Sequence, residues 1–163
     1  MTDARRPESA GWAERVRASF GRQSIMEHLG AELRTVEPGY CEIRLPFKPE
    51  LAQQHGFFHG GVVGVIADSA GGYAGFSLMP ADASVLTVEY KLNLLSPADG
   101  ELLIARGTVL KPGRTLVVSR ADVAVLKNGS ERICATMLQT LMTLHGRSDG
   151  PGNRSRSTTE EQP

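Results

Sequence analysis

The stretch from His59 to Met79 restricts what this chain can fold into more than any other segment. It reads as one helix, yet Gly60, Gly61, Gly64, Ala67, Ala70, Gly71, Gly72, Ala74 and Gly75 give it almost no side-chain bulk. Glycine costs about 1 kcal/mol per helix position relative to alanine, so this segment does not hold a helix by itself. It makes sense where other backbone must come close, as when a curved sheet wraps a central helix. Val62, Val63, Val65 and Ile66 offer apolar contacts on more than one side. The pair Gly71-Gly72 is the other candidate end, which would shorten the helix and leave its first half intact.

The remaining elements follow from periodicity and turn chemistry. Trp12, Val16 and Phe20 recur at i, i+4, i+8 and predict a short amphipathic helix. Ser24 is placed to cap a second short turn, Ile25 to Leu29. Ala31–Val36 and Cys41–Pro46 flank Glu37-Pro38-Gly39 and read as a hairpin. After the helix come strands Val85–Leu95, Leu102–Lys111, Thr115–Leu126 and Glu131–Leu144, separated by Gly- and Pro-containing turns. In the first of these, Thr87, Glu89, Lys91 and Asn93 alternate with Val88, Tyr90, Leu92 and Leu94, so the apolar set is expected to pack on the helix. Strands joined by short turns are antiparallel neighbours. One helix beside such a run is an α+β arrangement.

Length bounds the chain to one domain: 163 residues bury one sizeable core. Residues 1–23 read as an N-terminal extension with a short helix, with the first ten residues loose. Residues 24–145 form the domain. Residues 146–163 lack an apolar anchor and are expected to be a disordered tail. Lys plus Arg and Asp plus Glu both number 18, which argues against a general nucleic-acid or acidic-membrane role. No stretch approaches the roughly 20 apolar residues of a membrane helix, and the N-terminus lacks a signal-peptide run, so a cytoplasmic location is expected. Cys41 and Cys134 fit reduced core residues, with a disulfide left open. His28, His55, His59 and His145 have no metal-ligand spacing, and no phosphate or dinucleotide loop follows a strand, so no metal and no cofactor are expected.

The chemistry concentrates between Gln53 and Asp68. Asp68 is a carboxylate within an apolar helix, a costly placement unless it is paired or hydrogen-bonded. A structural aspartate bonded to neighbouring backbone explains that position equally well when it is taken alone. His59-Gly60-Gly61 falls where the helix begins, where free N–H groups and the positive dipole end favour a negative oxygen. Glycine there lets a carbonyl approach those N–H groups, which is how an oxyanion hole is built. His59 itself reads first as a helix-start residue and second as a catalytic one.

Gln53, Gly56, His59-Gly60-Gly61 and Asp68 together resemble the signature of the PaaI-type hotdog thioesterases, an amide, then Gly, then His-Gly-Gly, then an acid on the central helix. The resemblance extends over most of residues 30–145, through Thr87-Val88-Glu89-Tyr90, Leu95-Ser96-Pro97-Ala98 and Lys111-Pro112-Gly113-Arg114-Thr115-Leu116. One departure is Gln53, where many relatives carry Asn. The resemblance implies a hotdog fold and hydrolysis of an acyl-CoA, aryl or medium-to-long chain. It implies that the Gly60 N–H polarises the thioester carbonyl and that Asp68 acts as nucleophile or as base for water. Gln53 would position the carbonyl or the water, and Thr87 would hold the water. Ser96, Pro97, Lys111, Gly113, Arg114 and Thr115 would bind the CoA arm. It also implies a homo-oligomer, a dimer or a tetramer of two dimers, with sites at the subunit interface.

Helix geometry constrains how the two residues that the resemblance assigns to one site can meet, and the resemblance favours a site shared between subunits. Gly60 and Asp68 lie roughly 12 Å apart along one helix, too far for both to serve one carbonyl carbon. Either the helix breaks between them or two subunits contribute. The main alternative function is a non-catalytic hotdog that binds and senses acyl-CoA. Such regulators carry a DNA-binding segment ahead of the fold, and residues 1–23 are too short for one. A hotdog dehydratase would pair an Asp with a His on one helix, and no His follows Asp68 within a few helical turns. The aromatic set Phe57, Phe58, Tyr73 and Phe76, with Met79, is expected either to line the acyl pocket or to fill the core.

Overall fold

The computed structural model describes residues 7, 9–147 and 149–150. Two short helices, α1 (Trp12–Phe20) and α2 (Ser24–Leu29), precede a hairpin, β1 (Glu32–Glu37) and β2 (Tyr40–Pro46). A single 3-10 turn at Pro49–Leu51 leads to the long helix α3 (Gly60–Phe76), and β3 (Ser84–Leu94), β4 (Leu102–Lys111), β5 (Leu116–Lys127) and β6 (Ser130–Leu144) follow. The strands form one antiparallel sheet in the order β1-β2-β4-β5-β6-β3. This is the hotdog arrangement, α+β, with the sheet curled around α3. Strand β3 is an edge strand and pairs only with β6.

The helix runs unbroken past Gly71-Gly72 for 17 residues. It ends at Phe76 rather than Met79, because the chain tightens there into i+3 turns, Leu78 N–H to Gly75 O and Met79 N–H to Phe76 O. Arg15 from α1 donates to the carbonyls of Phe76 and Met79 at 3.1 and 2.7 Å and to that of Pro80, so the N-terminal helix closes the C-terminal end of α3.

The small residues act as expected, with one difference in detail. A Cβ on Gly71 would lie 1.8 Å from Gln139 Oε1, and one on Gly75 would lie 2.4 Å from Leu141 Cδ1. The helix glycines therefore make room for side chains of the sheet. The backbone-to-backbone contact is provided from the other side: a Cβ on Gly107 of β4 would lie 2.2 Å from the Ala70 carbonyl oxygen and 2.5 Å from Gly71 N. Neither backbone can give way cheaply in a close-packed core. Gly107→Ala is expected to destabilise the fold by about 1–3 kcal/mol, a drop in Tm of roughly 2–12 °C by calorimetry. An unchanged Tm would show that the helix does not rest on β4 as described.

The strict alternation expected in β3 does not hold. The register slips between Thr87 and Glu89, a bulge centred on Val88. Directly opposed residues of an antiparallel pair share a face. Thr87 opposes Leu141, Leu92 opposes Met137 and Leu94 opposes Ala135. The bulge thus puts Thr87 on the helix side together with Leu92 and Leu94, not opposite them.

Phe76 and Met79 are core residues, 0% and 2% exposed. Cys41 and Cys134 are buried free thiols. Burial pushes the Cys41 thiol up to about 12 and raises that of Cys134, so neither is a ready thiolate at neutral pH. No helix among the described residues is long and apolar enough to cross a membrane. Of the expected C-terminal tail, residues 146, 147, 149 and 150 are described, and Arg22 donates to the Asp149 carboxylate. The rest of that tail, and most of the first eight residues, lie outside the described residues.

Candidate active site

Asp68 sits in the middle of α3, half-buried, and its carboxylate is held by the sheet. Thr87 Oγ1 donates to Asp68 Oδ1 at 2.8 Å, and Gln139 Nε2 donates to the same oxygen at 2.9 Å. Gln139 also reaches the Asp68 carbonyl at 3.3 Å. Two donors on Oδ1 fix the plane of the carboxylate, and Oδ2 accepts no bond among the described residues. Asp68 and Thr87 line a cavity of about 680 Å³, with Ser19, Arg22, Gln23, Ser69, Gly72, Tyr73 and others. A Cβ on Gly72 would meet nothing within 4 Å, as befits a helix position that faces open space.

Gln139 did not figure in the sequence reading, and it completes the carboxylate site. It is fully buried on β6. The signal that marks it is strand phase: Ala135, Met137 and Leu141 share its face, so one amide interrupts an otherwise apolar series. A buried amide needs partners, and Asp68 supplies the acceptor.

A second cavity, of about 480 Å³, lies at the N-terminal end of α3. Gln53, His55, Phe57, Phe58, Gly60, Leu94, Ser96 and Pro97 are among its lining residues. His59 is the N-cap of the helix, and its Nδ1 accepts from the Gly61 N–H at 2.9 Å. The N–H groups of Val62 and Val63 both go to the His59 carbonyl. Gly60 is then the first-turn residue whose N–H meets no acceptor among the described residues, and the cavity opens beside it. Gln53 accepts from the His55 N–H through its side chain and from the Gly56 N–H through its carbonyl, at 2.9 Å for the latter. Gly56 takes φ 81°, a conformation that closes this loop at little cost only for glycine.

The candidate residues therefore fall into two groups within one chain. Asp68 and Thr87 share one cavity, and Gln53 and Gly60 share the other. The helix between them is continuous, so its ends do not fold toward each other. The CoA candidates divide in the same way. Ser96 bonds to Cys134 O and Ile133 O near the start of β6. The turn carrying Lys111, Gly113, Arg114 and Thr115 meets the far end of β6, where Thr143 N–H donates to Thr115 O at 2.9 Å. From Cys134 to Thr143 a strand spans about 30 Å. Gly113 is required in that turn, because a Cβ there would lie 2.1 Å from Leu116 O.

This chain is similar to known proteins in sequence and in fold. A family model described as the thioesterase superfamily matches residues 55–131. A crystal structure of a thioesterase family protein from Silicibacter pomeroyi superposes with TM-score 0.83 at 51% identity, covering 83% of this chain and 100% of that one. The Escherichia coli PaaI protein from the phenylacetic acid degradation operon superposes with TM-score 0.75 at 18% identity, over 83% of this chain and 95% of that one, a likeness of fold. A Saccharolobus solfataricus protein named only provisionally as an esterase is 32% identical over 119 residues, 73% of this chain and 77% of the relative. A 1,4-dihydroxy-2-naphthoyl-CoA hydrolase of Listeria monocytogenes is 25% identical over 118 residues, 63% of this chain and 96% of the relative.

Proposed function

The chain belongs to the thioesterase superfamily, and from that premise we propose that it hydrolyses acyl-CoA thioesters at sites shared between two subunits, with Asp68 as the catalytic carboxylate. One observation carries the reading. The Asp68 carboxylate stands in a cavity wall with one oxygen fixed by Thr87 and Gln139 and the other without a partner among the described residues. In the general-base form, Asp68 takes a proton from water, the hydroxide adds to the thioester carbon, the C–S bond breaks and the proton passes to the departing thiolate. In the nucleophile form, an Asp68 oxygen adds to the thioester carbon, the C–S bond breaks with CoA leaving as its thiolate, and water then cleaves the resulting anhydride to the free acid and the Asp68 carboxylate, its proton passing to the thiolate. The Gly60 N–H, with the dipole of α3 behind it, receives the negative charge on the carbonyl oxygen in both forms.

The edge strand supports a way for the two half-sites to meet. Strand β3 presents an unpaired ladder of 11 residues, with Leu86, Tyr90 and Leu94 each more than half exposed. A long apolar edge of this kind pairs with another strand. An isologous antiparallel pairing of two β3 strands about their middle sets the Leu94 end of one beside the Val85–Leu86 end of the other. Leu94 packs at Gly60, and Thr87 holds Asp68. The pairing therefore brings Gly60 and Gln53 of one subunit to Asp68 of the partner subunit. It also brings the Ser96 region of one toward the Lys111–Thr115 turn of the other, so that one CoA arm can touch both. The location proposed is cytoplasmic, and the state a homodimer or a tetramer of two dimers.

Hydrolysis of phenylacetyl-, hydroxybenzoyl- and straight-chain acyl-CoA, followed by thiol release, tests the activity. Tight binding without turnover of any of them would favour a non-catalytic acyl-CoA binder instead. Arg114→Ala is expected to raise KM for an acyl-CoA more than for the matching acyl-pantetheine thioester, since Arg114 would meet only nucleotide phosphates. Equal effects on both substrates would place Arg114 outside the CoA site.

A further inference from the structure

The cavity beside Asp68 has a polar far wall, built by segments outside the 55–131 region that the family model matches. Ser19 and Arg22 come from α1 and the link after it, Gln23 stands at the N-terminal boundary of α2 without a side-chain capping bond, and Asp149 comes from beyond β6. Ser19 Oγ lies 3.2 Å from the Tyr73 hydroxyl, and Ser69 Oγ donates to Gln23 Oε1 at 3.4 Å. Arg22 is the one cationic side chain among the described residues that line the cavity. Its guanidinium donates to both the main-chain oxygen of Asp149, at 2.9 Å, and the Asp149 carboxylate.

Taking the hydrolase reading above as its basis, we propose that Arg22 is a specificity-determining residue that selects acyl groups ending in a carboxylate, and that Asp149 holds that carboxylate's place when no substrate is bound. Three observations support it. First, distance: Tyr73 lies five residues beyond Asp68, about 7–8 Å along the helix axis, so an acyl chain attacked at Asp68 reaches this wall with its distal end. Second, charge: an acyl chain without a polar end would lay its terminus against Arg22, Gln23 and the Ser19–Tyr73 pair and gain no hydrogen bond from any of them. A carboxylate gives Arg22 a charge-assisted acceptor of the kind it already has. Third, displaceability: the Arg22–Asp149 pair is open to solvent, with side chains 45% and 21% exposed. Such pairs contribute little net stability, so an incoming carboxylate can replace Asp149. Burial lifts the Tyr73 hydroxyl to about 12, so it stays protonated and leaves Arg22 as the charged reader of the wall.

The test compares adipoyl-CoA with hexanoyl-CoA, two acyl groups of equal carbon count, and adds hydroxybenzoyl-CoA as a phenolic arm. Wild-type protein should prefer adipoyl-CoA. Arg22→Gln should lower the adipoyl-to-hexanoyl ratio of kcat/KM about tenfold, mostly through KM, the lower end of what a hydrogen bond to a charged group supplies. Arg22→Lys should recover part of the ratio, and Asp149→Ala should lower KM for adipoyl-CoA relative to hexanoyl-CoA. A wild-type preference for hexanoyl-CoA, or a ratio unmoved by Arg22→Gln, overturns the assignment. An Arg22-dependent preference for hydroxybenzoyl-CoA over adipoyl-CoA overturns the carboxylate specificity. Calorimetric binding of non-hydrolysable adipoyl- and hexanoyl-CoA thioethers separates the two readings. Arg22-dependent adipoyl binding without any turnover removes the hydrolase and keeps Arg22 as the selector, whereas turnover with equal thioether affinities removes the selector and keeps the hydrolase.

Discussion

Asp68→Asn is expected to fold and assemble normally and to slow thioester hydrolysis by roughly 10²–10⁴-fold, the usual range for losing a group that moves a proton in the transition state. Asparagine preserves the shape, and its carbonyl oxygen can still accept from Thr87 and Gln139, which donate to Oδ1 at 2.8 and 2.9 Å. The packing around α3 is therefore retained, and what is lost is a basic, nucleophilic oxygen on the cavity side. Matching circular dichroism spectra and unchanged oligomer size would establish that the fold survives. Near-full activity in such a protein would remove Asp68 from the chemistry. Base and nucleophile are then separated in oxygen-18 water with hydroxylamine as a trap: label entering Asp68, or a trapped acyl hydroxamate formed faster than from free thioester, marks the anhydride route, and label confined to the free acid with no trapped adduct marks direct attack by water.

The carboxylate was legible in the sequence because Asp68 is the lone acid in a helix of Gly, Ala and Val, where nothing but function or a specific partner accounts for it. Its partner was less legible. Gln139 stands 71 positions away, on a strand that reads correctly as a strand, and only the inward phase of Ala135, Met137 and Leu141 singles it out. The resemblance gives Thr87 the role of holding water, whereas in the structure its hydroxyl bonds to Asp68, on the face opposite to the one that strict alternation predicts. Counting by twos assumes an uninterrupted pleat, and the bulge at Val88 adds one residue and reverses the phase. Element order, the antiparallel sheet and the buried helix were all readable, because hydrophobic period and turn residues record them directly. The cavity wall at Ser19, Arg22 and Asp149 was not, because it joins the two ends of the chain and no local pattern encodes that contact.

The separation of Gly60 from Asp68 leads to the second large effect. A mixture of Asp68→Ala and Gly60→Val proteins, each inactive alone, is expected to regain about a quarter of wild-type activity after reversible dissociation and reassociation, given an isologous dimer. In a mixed dimer, the first subunit supplies an intact Gly60 and the second an intact Asp68, and these meet in one site. The other site carries both defects and stays inactive. Random pairing makes half of the dimers mixed, and each mixed dimer works at one site in two. The Gly60 variant is suited to this use. A Cβ there would lie 2.8 Å from Leu94 Cδ1, the far end of a flexible side chain, so the added bulk shifts Leu94 rather than the backbone while it obstructs approach to the N–H. Gln53→Ala, in the same cavity as Gly60, provides a second inactive partner that adds no bulk at all. With subunit exchange shown by mass-tagged heterodimers, absence of recovered activity in both mixtures would contradict the shared site. The continuous helix leaves no arrangement in which Gly60 and Asp68 of one chain reach the same carbonyl carbon, so the Gly60 N–H would then lose its assignment as the oxyanion donor.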